Sequence, residues 1–307
     1  MTIKRIVSFL PSATELLYEF EMQNNLYGVT HECKFPADAT TKPQIINSVI
    51  NSDELTSKEI DTVTCKLLND RKDIFVLNEN NLKNANPDLI ILQETCEVCA
   101  AYTNQINKAI KILQRKPMTY SMNPHSLQEI LDSVTELGKI LEKETKAKEI
   151  RNSLEKRIQN IKKIKNGKKP RVLAIEWIEP FFTAGHWIPE MIQIAGGINQ
   201  ISKLGEHSRR MEFQEIIHSN PDIIIMMPCG FDTKRTVLEY DNILKENKKW
   251  NSLNAVKNNQ VFAVDANSFF SKPSIRTVKG LEILGKIIQP KKFESLTVSK
   301  ESFLQIC

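Results

Sequence analysis

Cysteine and histidine are the residues of this chain best suited to hold a metal; there are six of the first and five of the second. Thiolate and imidazole are soft and borderline donors that suit zinc or an iron–sulfur cluster. Cys96-Glu97-Val98-Cys99 has a spacing that lets two sulfurs reach one ion from a single turn. The rival chemistry for that pair, dithiol redox, wants a thioredoxin-like context that the flanking residues lack. His31-Glu32-Cys33 offers an imidazole and a thiol side by side. Gly185-His186-Trp187 and Pro228-Cys229 each offer one donor more. Glu32 and Glu97 adjoin candidate ligands and are candidate bases. Cys65 and Cys307 read as structural, His125 as a helix-entry residue, and His207 and His218 as surface residues.

The elements that must position these groups are short apolar runs. Arg5–Leu10, Leu26–Thr30 and Leu89–Leu92 read as strands in the first half; Arg171–Glu176, Phe181–Ala184, Ile223–Met227 and Val261–Val264 do so in the second. Each candidate ligand lies just past one of them. Asn86-Pro87-Asp88 and Asn220-Pro221-Asp222 both precede such a run, which suggests two α/β halves of one plan. Ser12 to Glu15 reads as a capping box opening the first helix. Leu127, Ile130, Leu131, Val134, Leu137 and Leu141, continued by Ile150, Leu154, Ile158 and Ile161, predict one helix over 126–165, about 60 Å long. A second capping box, Ser126 to Glu129, opens it, and Gly167 and Pro170 close it.

The expected fold class is therefore α/β, with two Rossmann-like lobes, 1–123 and 168–307, joined by a long helix within 124–167. Ligands of open parallel sheets bind beyond the carboxyl ends of the strands. That rule puts Cys33, Cys96 and Cys99 in one metal site of the first lobe, with Cys229 or His186 facing them from the second and His31 nearby. Trp187 and Phe269 are candidate walls of an apolar pocket. Arg209 and Arg210 are candidate grips for a carboxylate or phosphate.

The chain has 307 residues, 41% of them hydrophobic, which is enough for two ordinary cores. It has no apolar run long enough to span a membrane. The first apolar run stops at Pro11, too short for a secretory leader, so a cytoplasmic location with reduced thiols is expected. The net charge is +5, yet residues 141–171 alone carry an excess of +8 without one aromatic. A solvated helix face fits that segment, and a nucleic-acid surface does not. No phosphate loop or nucleophile–base motif marks a particular reaction.

IVSFLPSATELL, GVTHEC and NPDLII in the first half, with FTAGHWIPEMIQIAGGIN, NPDIIIMMPCGFD and VFAVDANSFFSKPSIRTVKGLEIL in the second, resemble the cobalamin-binding members of the helical-backbone substrate-binding proteins of ABC transporters. The resemblance spans about residues 3–290. It implies two lobes joined by a rigid helix and a small-molecule ligand, cobalamin or another corrinoid, held in the cleft. An axial imidazole would come from His31 or His186. The absent leader and the HEC, CEVC, GHW and MPCG motifs set the chain apart as a cytoplasmic side branch and make a transporter partner doubtful. The alternative expectation is a cytoplasmic metalloenzyme or iron–sulfur protein built on Cys33, Cys96 and Cys99.

Overall fold

The computed structural model describes residues 3–93, 103–163 and 169–307. They fall into two compact units. Unit 1 comprises Met1–Leu55, Glu59–Pro124 and Glu129–Arg151; unit 2 comprises Thr56–Lys58, His125–Gln128 and Asn152–Cys307.

The first part of the chain runs through β1 (Ile6–Ser8), α1 (Pro11–Glu19), β2 (Leu26–Thr30), β3 (Gln44–Ser48), α2 (Ser57–Asn69), β4 (Phe75–Leu77), α3 (Glu79–Ala85), β5 (Leu89–Gln93), α4 (Thr103–Leu113) and β6 (Met118–Met122). Two helices follow, α5 (Leu127–Ile140) and α6 (Glu144–Lys162). The remainder holds β7 (Arg171–Trp177), β8 (Phe182–Thr183), α7 (Ile188–Ile194), β9 (Ile198–Asn199), α8 (Phe213–Ser219), β10 (Ile223–Met226), α9 (Thr233–Ile243), α10 (Asn254–Lys257), β11 (Val261–Val264), α11 (Ala266–Phe269), α12 (Thr277–Ile288) and β12 (Phe303–Gln305).

The sheet of unit 1 has the order β4-β3-β2-β1-β5-β6, parallel except for β3 with β4. That of unit 2 has the order β12-β11-β10-β7-β8, with β9 also beside β7; β12 and β8 run antiparallel to their neighbours. The inner strands are continuous apolar runs, Leu89–Gln93 in unit 1 and Ile223–Met226 in unit 2, and every residue of both is buried. Strands covered on both faces show no polar alternation, which is why these runs stand out in the sequence. Among the described residues no helix is long and apolar enough to cross a membrane.

Two local expectations are corrected. The first helix begins at Pro11, two residues earlier than a Ser12 cap requires. Its N-cap position is Leu10, without a side-chain cap, and Ser12 and Glu15 are buried inside the helix. Proline at the first helical position lacks one of the N–H groups that a helix start leaves unpaired, and its fixed φ favours that start. The single helix over 126–165 is two helices. Glu142 takes a left-handed conformation at φ 56°. Lys143 N–H donates to Gly138 C=O (2.7 Å) and Glu142 N–H to Lys139 C=O (3.3 Å). This is a Schellman stop, made here without the usual glycine. A Cβ on Gly138 would stand 2.4 Å from the Ala147 Cβ, so α5 and α6 pack closely where they turn.

Candidate functional site

A polar construction in unit 2 surrounds the segment after β8. Strand β8 pairs antiparallel with β7 (Ile175 with Thr183, Trp177 with Phe182) and carries Ala184, Gly185 and His186 past the sheet. Residues 205–210 zip onto that segment. Thr183 N–H donates to Arg209 C=O (2.9 Å), His186 N–H to Glu206 C=O (2.6 Å), and Gly205 N–H to His186 C=O (3.1 Å). A Cβ on Gly185 would meet Glu206 O at 2.4 Å and Ser208 N at 2.5 Å, so only glycine permits the backbones to approach this closely.

Glu176, near the end of β7, ties the two segments together. Its carboxylate accepts from the Ser208 hydroxyl (2.6 Å) and from Gly185 N–H (3.2 Å). The residue as a whole is only half-buried, but the carboxyl lies deep. Burial pushes it above the usual carboxylate range, against the lowering effect of those two bonds.

The pinned segments bring three imidazoles together, all in unit 2. His186 has φ 53°. Its ring lies 5.0 Å from that of His207 and 5.3 Å from that of His125, centroid to centroid. His125 and His207 are 5.2 Å apart. The Nδ1 atoms of His125 and His186 are separated by 3.3 Å. One ring nitrogen of each residue lies within 4.8 Å of the other two. His125 stands two residues before α5, whose Leu127 N–H donates to the Glu190 carboxylate in the first turn of α7 (2.9 Å). His125 and His186 are half-buried, and His207 is exposed. Burial, then the adjacent His207 and His125, push the His186 imidazole down to about 4. It is neutral at physiological pH, the form that ligates metals.

The residues singled out from sequence take varied positions. Of the expected first-lobe metal set, Cys96 and Cys99 lie outside the described residues. Cys33 is 2% exposed, with its sulfur 3.1 Å from the Thr14 hydroxyl and 3.5 Å from that of Thr30. The Nδ1 of His31 is 3.3 Å from Ile46 C=O, and its Nε2 is 3.8 Å from Glu32. Cys229 is a half-buried free thiol two residues after Met227, and its backbone N–H donates to Glu176 C=O (3.0 Å). Trp187 is a core residue at 4% exposure. Its indole N–H donates to Phe270 C=O (3.2 Å), which fixes the start of α7 to the end of α11. Phe269 is half-buried, with the Arg276 guanidinium 5.8 Å from its ring centre. Arg209 is engaged in a two-armed pair with Glu215 (2.7 and 3.2 Å), and Arg210 lies over Phe182.

His125 and His207 carry no sequence signal for their partnership. They reach His186 from distant segments, and no motif spacing relates the three. Among the described residues, this trio is the group of His, Cys, Asp and Glu whose donor atoms converge closely enough for a metal ion.

Comparison with known proteins places these features in a family. The high-affinity heme uptake system protein IsdE of Staphylococcus aureus (strain bovine RF122 / ET3-1) is 30% identical over 146 residues, 46% of this chain and 49% of that protein. The chain thus spans about half the length of the curated relatives it matches. The crystal structure of S. aureus IsdE complexed with heme is 21% identical, with a TM-score of 0.69 over 93% of this chain and 98% of that one. The periplasmic vitamin B12 binding protein BtuF of Vibrio cholerae is 18% identical, also at a TM-score of 0.69, over 94% of this chain and 98% of that one. At such identities the likeness is one of fold: two α/β lobes of the helical-backbone type. Nothing in these likenesses supports an iron–sulfur protein, a zinc enzyme or a cytoplasmic branch. The periplasmic binding protein family model matches residues 6–268, and the chain belongs to that family.

Proposed function

We infer that the protein is the substrate-binding component of an ABC importer and that its cargo is a metal-centred tetrapyrrole, either heme or a corrinoid. The observation that carries this reading is the family match over residues 6–268. The named relatives support it: one is a heme uptake protein and another a vitamin B12 binding protein. A transporter partner, doubtful from sequence, is part of this reading.

A tetrapyrrole fills four positions of its metal in one plane, so the protein needs to offer only one or two axial donors. His31 in unit 1 and His186 in unit 2 are the candidate donors, and each follows a strand. Arg209, which pairs with Glu215, and Arg210 are the candidate grips for a propionate or phosphate of the cargo. The test is a visible-light titration of purified protein with hemin and with aquocobalamin at micromolar concentrations, followed by desalting. Retention of one pigment with a shifted spectrum is expected. The shift should change in either His31→Ala or His186→Ala. Loss of both pigments on desalting would sink the reading.

A further inference from the structure

We propose that His125, His186 and His207 form a binding site for one divalent first-row transition-metal ion, held by three imidazole nitrogens with at least one coordination position open. Three observations in unit 2 carry this, and none depends on the tetrapyrrole reading.

The first is spacing. Two nitrogens bound tetrahedrally to zinc at about 2.0–2.1 Å stand about 3.3 Å apart. The Nδ1 atoms of His125 and His186 stand at 3.3 Å, and one nitrogen from each of the three rings lies within 4.8 Å of the other two. The second is donor chemistry. Imidazole suits zinc, copper, iron and nickel. Carboxylates on the surrounding segments have other work: Glu176 holds Ser208 and Gly185, Glu190 holds Leu127 N–H, and Glu206 holds Lys203 N–H. The third is construction. Gly185, the Glu176 bridge and the backbone bonds of residues 205–210 fix the segments bearing His186 and His207 before any ion arrives. Preset donors of this kind lower the ordering cost of binding.

The number of donors separates this site from a tetrapyrrole contact. A macrocycle leaves its metal two open positions, on opposite faces, whereas three imidazoles clustered around one point require adjacent positions. A bare ion, or one carrying a small ligand at the open position, meets that requirement.

The test uses the whole apo protein. Zn²⁺ and Ni²⁺ titrated calorimetrically should bind with a stoichiometry of one. His125→Ala, His186→Ala and His207→Ala should each weaken binding at least about tenfold, in line with the loss of a ligand or its support. Co²⁺ should give visible bands of a nitrogen-rich site without ultraviolet thiolate charge transfer. Cys33→Ser, Cys229→Ser and the pair Cys96→Ser with Cys99→Ser should leave the affinity unchanged. His207 is exposed, so His207→Ala keeps the test valid if substitution at the half-buried His186 disturbs folding. In the hemin and aquocobalamin titrations, His125→Ala and His207→Ala should retain pigment, which separates this site from the cargo reading. Binding that survives replacement of all three histidines, or that follows Cys96 and Cys99, would overturn the proposal.

Discussion

The amino ends of the inner strands are built alike in the two units, and the polar clusters elsewhere are not. In unit 1, Asn86 leaves α3 in the left-handed region (φ 38°, ψ 60°), and the Asp88 carboxylate accepts from Lys4 N–H (3.1 Å) and Arg5 N–H (3.0 Å). In unit 2, Asn220 leaves α8 at φ 39°, ψ 63°, and Asp222 accepts from Arg171 N–H (2.8 Å). Each aspartate thereby locks the start of one inner strand to the start of its neighbour, β1 to β5 and β7 to β10. The arginines differ. Arg5 turns to Ala85 C=O and Asn84 C=O, whereas Arg171 forks onto Asp222 (3.1 and 2.8 Å). Elsewhere the units differ: unit 1 keeps Cys33 among threonine hydroxyls and His31 against Ile46 C=O after β2, while unit 2 gathers three imidazoles, His186 among them on the segment after the antiparallel β8. The two units thus share a register device at the amino ends of their inner strands and differ in the side chains they gather elsewhere.

The largest test of that difference is Gly185→Ala. The new Cβ would stand 2.4 Å from Glu206 O and 2.5 Å from Ser208 N, both backbone atoms that cannot rotate away. The segments bearing His186 and His207 must separate, at about 2–3 kcal/mol. Urea unfolding followed by tryptophan fluorescence reads this directly, because Trp177, Trp187 and Trp250 all lie in unit 2. Metal affinity should fall with the stability. An unchanged midpoint together with unchanged Zn²⁺ binding would show that the close approach of these segments is dispensable.

The repeated clamp gives the next test. Asp222→Ala removes one backbone and two guanidinium bonds, whereas Asp88→Ala removes two backbone bonds. Both carboxylates lie near the surface, so screening limits the losses to about 1.5 and 1 kcal/mol. Asp222→Ala should lower the midpoint seen by tryptophan fluorescence. Asp88→Ala should act more strongly on far-ultraviolet circular dichroism, which reads both units, than on fluorescence. Equal fluorescence shifts in the two variants would mean that the units unfold as one.

The same contrast explains what the sequence discloses. Leu26–Thr30 and Val261–Val264 form strands over the expected residues, because inner strands are short, apolar and bounded by turn residues. Strands β3, β4, β6, β9 and β12 escape notice. Gln44–Ser48 and Met118–Met122 are mostly half-buried or exposed, and the other three have only two or three residues. The stop at Glu142 is hidden because the left-handed residue is not glycine. His186 is legible as a donor beside a strand end. His125 and His207 are not: backbone pairing of residues 205–210 brings His207 to it, the Leu127 N–H bond to the Glu190 carboxylate holds the segment after His125, and no local spacing encodes either.

The smallest effect expected concerns acid stability in unit 2, where α6 is tied to α12. Arg157 forks onto Glu282 (2.8 and 3.0 Å), whose side chain is 10% exposed, and Lys279 stands 3.3 Å away. Burial alone would raise the Glu282 carboxyl. The Arg157 hydrogen bonds, the charges of Arg157 and Lys279, and the Lys279 bond together hold it below its usual value. A carboxyl depressed in the folded state adds stability that is complete above its unfolded pKa, about 4.3, and is lost as pH falls through the folded value. The tryptophan-detected midpoint should therefore decline as pH drops below about 5. Arg157→Met retains the aliphatic cover of α6 and removes the partner charge. It should cost about 0.5–1 kcal/mol at neutral pH, and little once Glu282 is protonated. The two unfolding curves should converge on the acid side. Curves that stay parallel from neutral pH to about pH 3 would mean that packing, and not charge, joins these helices.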